Sequence, residues 1–317
     1  MKAQETWCNK VKRYLVYRRA CGYQLHVTGT ELYRFAKYAD GVNQPGPLTT
    51  ELSLGWARDA SHCTRLYQAR RIEMLRPFAR YLSVLEPGTE IPPRNILGPA
   101  HRRIQPYIYT EEEIITLIRE AHAILPINGL RPETYATLIG LLASSGLRVS
   151  EALNLRREDV DLTQGVVEVR NTKFHKSRII ILHPSAVQAI SEYARFRDSY
   201  FPMPSTSHFL LSERGKELRP STVNYTFQQI RKKLCWRNSH YTRPPRLYDL
   251  RHTFACYRLI QWYKEGVDVH HAIAWLATYM GHVKVSDTYW YLSGIPKLFA
   301  VTAERFESYV ASTGGVK

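Results

Sequence analysis

A stretch broken by Pro87, Gly88, Pro92, Pro93, Gly98 and Pro99 occupies residues 86–103 and constrains the chain more than any other feature. Proline removes a backbone donor and glycine favours turns, so neither a helix nor a strand is expected to cross it. With 317 residues there is enough chain for a separate core on each side. The reading is a first domain over 1–88, a linker over 89–106 and a second domain over 107–317.

The first part reads as four helices, near 5–21, 29–39 (with Thr28 as cap), from about Thr50, and 61–84. The last carries Leu66, Ala69, Ile72, Leu75, Ala79 and Leu82 at helical spacing. Arg65, Arg70, Arg71, Arg76 and Arg80 lie elsewhere around it, and Pro77 should kink it or shift its end. The second part opens on Thr110 followed by Glu111, Glu112 and Glu113, a cap with acidic residues in the first turn. A helix over about 132–145 ends at Gly146, and a short one starts near Ser150. Residues 166–170 and 178–182 are β-rich and joined by a polar connection, which predicts a hairpin. Helices follow near 185–199, 221–235, 247–264, 270–279 and 286–292, then a tail helix to about 311 with Leu298, Phe299, Val301, Phe306, Tyr309 and Val310 on it. The class is mainly α with a small antiparallel sheet.

The formal net charge is +16, with 17 Lys+Arg against 8 Asp+Glu through residue 105 and 27 against 20 beyond it. Both parts are positive, which favours a polyanion, nucleic acid before an anionic membrane. Cys8, Cys21, Cys63, Cys235 and Cys256 are scattered, with no Cys-x-x-Cys pair. That argues against a disulfide framework or zinc site and fits a reducing cytoplasm. Neither a signal peptide nor an apolar run of membrane-spanning length is visible in the sequence.

Chemistry concentrates in the second part. Arg148 stands in Ser-Gly-Leu-Arg-Val-Ser-Glu-Ala-Leu and Arg251 in Tyr-Asp-Leu-Arg-His-Thr. Lys173, His175 and Lys176 lie in the hairpin connection, and Met-Gly-His-Val-Lys-Val-Ser-Asp-Thr-Tyr-Trp-Tyr-Leu carries His282, Tyr289 and Tyr291. A phenol is a poor nucleophile until the negative charge on it and its target is offset, and paired guanidiniums are suited to offset charge on a phosphate. The set points to a tyrosine that attacks DNA phosphodiesters. On a helix starting at Ser286, Tyr289 and Tyr291 point roughly 200° apart, so only one can face a phosphate.

In order and spacing, Arg148, Lys173, Arg251, His282 and Tyr291 resemble the tyrosine recombinases, or phage integrases, over about residues 106–296. The resemblance implies an N-terminal helical core-binding domain that contacts DNA and a mixed α/β catalytic domain. It selects Tyr291 as nucleophile and leaves Tyr289 and Trp290 for packing. It implies that Arg148 and Arg251 hold the scissile phosphate, that His282 bonds a non-bridging oxygen, and that Lys173 protonates the leaving oxygen. Glu151 is expected to orient Arg148. Lys176, Arg178, Arg65, Arg70, Arg71, Arg102 and Arg103 are expected at the DNA backbone. Tyr248 departs from the family, which commonly has histidine there; on a helix it shares a face with Arg251, so it is kept among the catalytic residues as a phenol that hydrogen-bonds the phosphate, while His252 should point elsewhere and be structural. The implied partners are double-stranded DNA and further copies of the chain, a tetramer on two sites joined through the C-terminal tail, with sister recombinases or DNA-bending proteins as further candidates. No cofactor is implied. The segment around Tyr291 looks most like integrases and transposases of mobile elements. A type IB topoisomerase and a catalytically silent DNA-binding relative are the alternatives, and the expected location is the cytoplasm, at the nucleoid.

Overall fold

The computed structural model describes residues 5–43, 46–60, 62–101, 105–170, 177–236 and 243–293. The chain divides into two compact units, Met1–Arg103 and Ile104–Lys317. Lys173, Lys176, Arg102, Arg103 and the tail helix lie outside the described residues.

The first unit holds α1 (Trp7–Ala20), α2 (His26–Gly41), α3 (Thr50–Asp59) and α4 (Arg65–Leu85). Thr6, Thr49 and Thr64 cap α1, α3 and α4, each accepting a backbone N–H three residues on. Thr28 is not a cap: α2 starts two residues before it, after Leu25 in a left-handed conformation. Pro77 neither ends nor displaces α4, which runs through it. Leu75, Phe78, Ala79 and Leu82 around the proline are buried, and their packing outweighs the missing backbone donor. Phe35 sits at the centre, with ring centroids 5.5 Å from Trp7, 5.4 Å from Trp56 and 6.4 Å from Phe78. Part of the segment read as linker joins this unit, since Leu97 and Ala100 pack on Ala57, Ala69 and Ile72.

The second unit is mostly helical around a small sheet. Helices α5 (Glu111–His122), α6 (Leu130–Ser145) and α7 (Val149–Asn154) precede strands β1 (Val160–Asp161), β2 (Val166–Val169) and β3 (Arg178–Ile181). All pairings are antiparallel in the order β1-β2-β3, with Val167 opposite Ile180 and Val169 opposite Arg178. Strand β1 had no signal in the sequence, being two residues long. Then come α8 (Pro184–Tyr200), α9 (Pro220–Lys233), α10 (Asp249–Glu265), α11 (Val269–Met280) and α12 (Ser286–Ser293). Thr110 and Glu113 cap α5 reciprocally, the Thr110 hydroxyl accepting from the Glu113 N–H and the Glu113 carboxylate from the Thr110 N–H. Leu138, Leu142 and Leu147 pack with Val167, Ile180, Phe209, Phe227 and Leu250 in the main core. A second cluster of Cys256, Leu259, Ile260, Leu276, Met280 and Tyr291 ties together α10, α11 and α12. No helix among the described residues is long and apolar enough to cross a membrane.

Candidate active site

The C-terminal end of α11 organises the site. The last carbonyls of a helix have no intrahelical donor and carry the negative end of its dipole. Here three successive ones each receive a guanidinium. Arg178 Nε donates to the Tyr279 carbonyl at 2.8 Å, Arg251 Nη2 to Met280 at 2.6 Å, and Arg148 Nη2 to Gly281 at 2.8 Å. Gly281 is in a left-handed conformation, φ 66°, and a Cβ there would lie 2.9 Å from Arg178 Nη1. The left-handed conformation favours glycine where the arginines gather, and a Cβ there would push the Arg178 guanidinium aside.

Each arginine arrives from a different element. Gly146 ends α6 at φ 62°, and a Cβ on it would fall 2.5 Å from the Phe254 ring. Its carbonyl accepts from Arg251 Nη1 at 2.7 Å, so the turn that presents Arg148 also seats Arg251. Arg251 lies in the first turn of α10 and is 1% exposed. Arg178 opens β3. Glu151, at the third position of α7, accepts from the Arg148 backbone N–H at 2.9 Å and from Arg148 Nη1 at 2.6 Å. The same carboxylate accepts from Arg178 Nη1 at 3.0 Å and Nη2 at 2.8 Å. Burial raises the Glu151 pKa, but the hydrogen bonds from Arg178 and the Arg148 N–H outweigh it and bring it to about 2.

Tyr291 enters this group from α12. It is 3% exposed, whereas Tyr289, about 200° around the helix, is 44% exposed. The expectation that Tyr289 packs and Tyr291 does not is therefore reversed: the buried phenol is Tyr291. Its ring lies nearly parallel to His282, with centroids 6.0 Å apart, and 5.4 Å from the tilted ring of His252. Burial raises its pKa, and the Arg251 guanidinium, close enough to act by charge and hydrogen bond, works against that rise. His282 Nδ1 is 2.6 Å from the Thr288 hydroxyl. Burial, then the charges of Arg251 and Arg148, hold His282 near pKa 4, so it is neutral at pH 7. Arg251 itself is lowered, first by burial and then by the charge of Arg148.

Tyr248 immediately precedes α10 and is 42% exposed, its ring 5.0 Å from His252. His252 does not point away as expected. It lies between the Tyr248 and Tyr291 rings, held near pKa 3 by burial and then by Arg246, Arg251 and Arg243. Arg178 corrects a second expectation, since its side chain is engaged by Glu151 and the end of α11 rather than presented at the surface. Arg71 corrects a third. It is buried, donating to the Trp56 carbonyl at 2.8 Å with its guanidinium 4.0 Å over the Trp56 ring. Arg65 and Arg70 are exposed on α4. Among the described residues no group of three His, Cys, Asp or Glu is placed to hold a metal ion.

The model of the phage integrase family matches residues 109–294, which contain every residue gathered here. Over 307 residues the chain is 36% identical to y4rB of Sinorhizobium fredii, named as an integrase/recombinase, covering 95% of this chain and 97% of that one. The chain belongs to the phage integrase family. It is thus a tyrosine site-specific recombinase. A second S. fredii integrase/recombinase, y4rE, is 38% identical over 296 residues, covering 93% and 94%. The tyrosine recombinase XerC of Staphylococcus aureus is 26% identical over 231 residues, covering 72% and 70%. The fold is shared with the XerH site-specific recombinase bound to a palindromic difH substrate, with a TM-score of 0.67, 13% identity and coverage of 97% and 98%.

Two contributors to this recombinase site escaped the sequence reading, His252 and Thr288. Thr288 did leave a signal, because it lies one helical turn before Tyr291 and must share its face. His252 left none, since its contact with Tyr291 spans two helices.

Proposed function

We propose that the chain cuts and rejoins duplex DNA through a 3′-phosphotyrosyl bond at Tyr291. The observation that carries this reading is the seating of Arg148 and Arg251 on adjacent carbonyls of Gly281 and Met280, with the Tyr291 phenol interacting with Arg251. The scissile phosphate enters from the side of Arg148, Tyr248 and His282, which are not fully buried. Its non-bridging oxygens take hydrogen bonds from both guanidiniums and from His282.

The Tyr291 oxygen attacks phosphorus, the bond to O5′ breaks, the phenol proton passes to water, and Lys173 protonates the departing 5′-oxygen. Glu151 keeps Arg148 in one rotamer. Charge builds on the non-bridging oxygens at five-coordinate phosphorus, and each preorganised donor there is worth roughly 10²–10³-fold. Acid catalysis by Lys173 adds about 10²–10⁴-fold. A 5′-hydroxyl from a partner duplex then attacks the phosphotyrosine, and because the ester conserves the bond, no ATP is required.

The helical first unit contacts DNA through Arg65, Arg70, Arg102 and Arg103, and Lys176 adds a backbone contact from the second. Four copies act on two sites, linked through their C-terminal tails. The role is integration, excision or transposition of a mobile element, a reading supported by the S. fredii relatives' names and by the fold shared with the Tn1549 transposon integrase, at a TM-score of 0.65 and 16% identity.

The test is a nicked suicide duplex, on which the wild type should leave a protein–DNA band that survives denaturation. Strand transfer between two labelled duplexes separates a recombinase from a topoisomerase, which needs no second duplex. Lys173→Ala should cleave slowly, and a 5′-thio leaving group, which needs no proton, should restore its rate. No covalent band from the wild type would overturn the reading.

A further inference from the structure

The helix that carries Tyr291 also reaches His282. Thr288 is 0% exposed, and its Oγ1 lies 2.6 Å from His282 Nδ1. It shares the buried face of α12 with Tyr291, so the hydroxyl and the phenol enter the site in one seating event. We infer that Thr288 is a positioning residue that donates its hydroxyl proton to His282 Nδ1 and thereby fixes the imidazole as the tautomer carrying its proton on Nε2. This inference rests on the phosphotyrosyl reading, in which His282 donates to the phosphate.

The two ring nitrogens of His282 have different tasks. A charged imidazole donates from both, but His282 is neutral at pH 7, because it is buried and faces Arg251 and Arg148. A neutral imidazole donates from one nitrogen and accepts at the other, so its usefulness toward an anion depends on which nitrogen holds the proton. A phosphate that needs a donor at Nε2 leaves Nδ1 as an acceptor, and Thr288, held 2.6 Å away by the helix, has a hydroxyl proton to give it. With the proton on Nε2, His282 offers the phosphate a donor; with it on Nδ1, it would offer a lone pair and repel the anion. Partners that fix the tautomer of a metal-bound histidine from behind are worth roughly 10- to 100-fold, and the same scale is expected here. The arrangement also makes the donor conditional. When α12 leaves its seat, Tyr291 and the hydroxyl that aligns His282 leave together, so the phosphate site is complete only where the nucleophile is present.

The experiment compares wild type, Thr288→Val and Thr288→Ser in full-length protein, with ¹⁵N imidazole shifts at pH 7 assigned through His282→Gln. Single-turnover cleavage of the suicide duplex is measured alongside. The wild type should show His282 neutral with its proton on Nε2. Valine should scramble that tautomer and slow cleavage roughly 10- to 100-fold with DNA binding unchanged, and serine should restore both. A wild-type proton on Nδ1 overturns the inference. So does a valine variant with unaltered tautomer and rate, or a serine variant no better than valine. Failure of the wild type to form any covalent band would instead defeat the phosphotyrosyl reading, while the tautomer measurement still decides the role of Thr288.

Discussion

Arg71 in the first unit and Arg251 in the second are both almost fully buried, at 6% and 1% exposure, and are held in opposite ways. Arg71 has a counter-ion, with its Nε 3.5 Å from the Glu31 carboxylate, and its guanidinium lies over Trp56. Arg251 donates to the Gly146 and Met280 carbonyls, and among the described residues no carboxylate lies within ion-pair distance of it. Around it, Arg148 and Arg178 share the single carboxylate of Glu151. Three guanidiniums against one carboxylate leave an excess of positive charge in a buried site. A buried cation without a counter-ion is costly, and a structure keeps one where a ligand supplies the missing charge. The comparison teaches that burial alone says little about an arginine; what sets Arg251 apart from Arg71 is the positive charge left unbalanced around it.

The largest effect should come from breaking the compensated pair. Arg71→Met leaves Glu31 with Arg34 and the Tyr67 hydroxyl but removes its second guanidinium, the hydrogen bond to the Trp56 carbonyl and the contact over the Trp56 ring, a loss of about 2–4 kcal/mol. Urea melts should show that loss, with cleavage by the folded fraction unchanged. Arg251→Met should do the reverse. Removing a desolvated charge offsets the two lost hydrogen bonds, so stability should change by no more than about 1–2 kcal/mol. Cleavage should fall roughly 10²–10³-fold. If both variants lose stability equally and keep their activity, the distinction fails.

The sharpest probe of the shared carboxylate is pH. Glu151 has its pKa brought from an ordinary 4.5 to about 2, which corresponds to about 3 kcal/mol. A depressed carboxylate contributes stability above its unfolded pKa and loses it as the pH falls toward its folded one. The second unit should therefore weaken between about pH 5 and pH 2, and Glu151→Gln should be less stable at pH 7 but lack that dependence. A variant that melts in parallel with wild type across this window would contradict the pairing. The smallest effect is expected at the rim. Tyr248→His should keep or raise the cleavage rate, since imidazole is the better base near pH 7; a collapse in rate would give the phenol a specific role.

What could be read in advance follows from the range of the interactions. The Thr110 cap, the Gly146 stop and the placement of Tyr289 and Tyr291 on opposite faces are local, set by residues within one or two turns, and each is legible in the sequence. Motif spacing carried Arg148, Arg251, His282 and Tyr291, which do meet. The failures are tertiary. Arg178 is turned inward by Glu151, 27 residues away in the chain, and Arg71 by Trp56 and Glu31 from other helices. Pro77 misled because a locally unfavourable residue was outvoted by the buried face of α4. The nucleophile was expected to face the phosphate free of the core, yet Tyr291 is packed against Cys256, Leu259 and Met280 while the free surface belongs to Tyr289.

That last contrast allows the most direct test. The covalent complex trapped on the nicked suicide duplex is digested with nuclease and protease, and the peptide covering residues 285–295 is sequenced by mass spectrometry. The account predicts a nucleotide remnant on the buried Tyr291. A remnant on the exposed Tyr289 would contradict it.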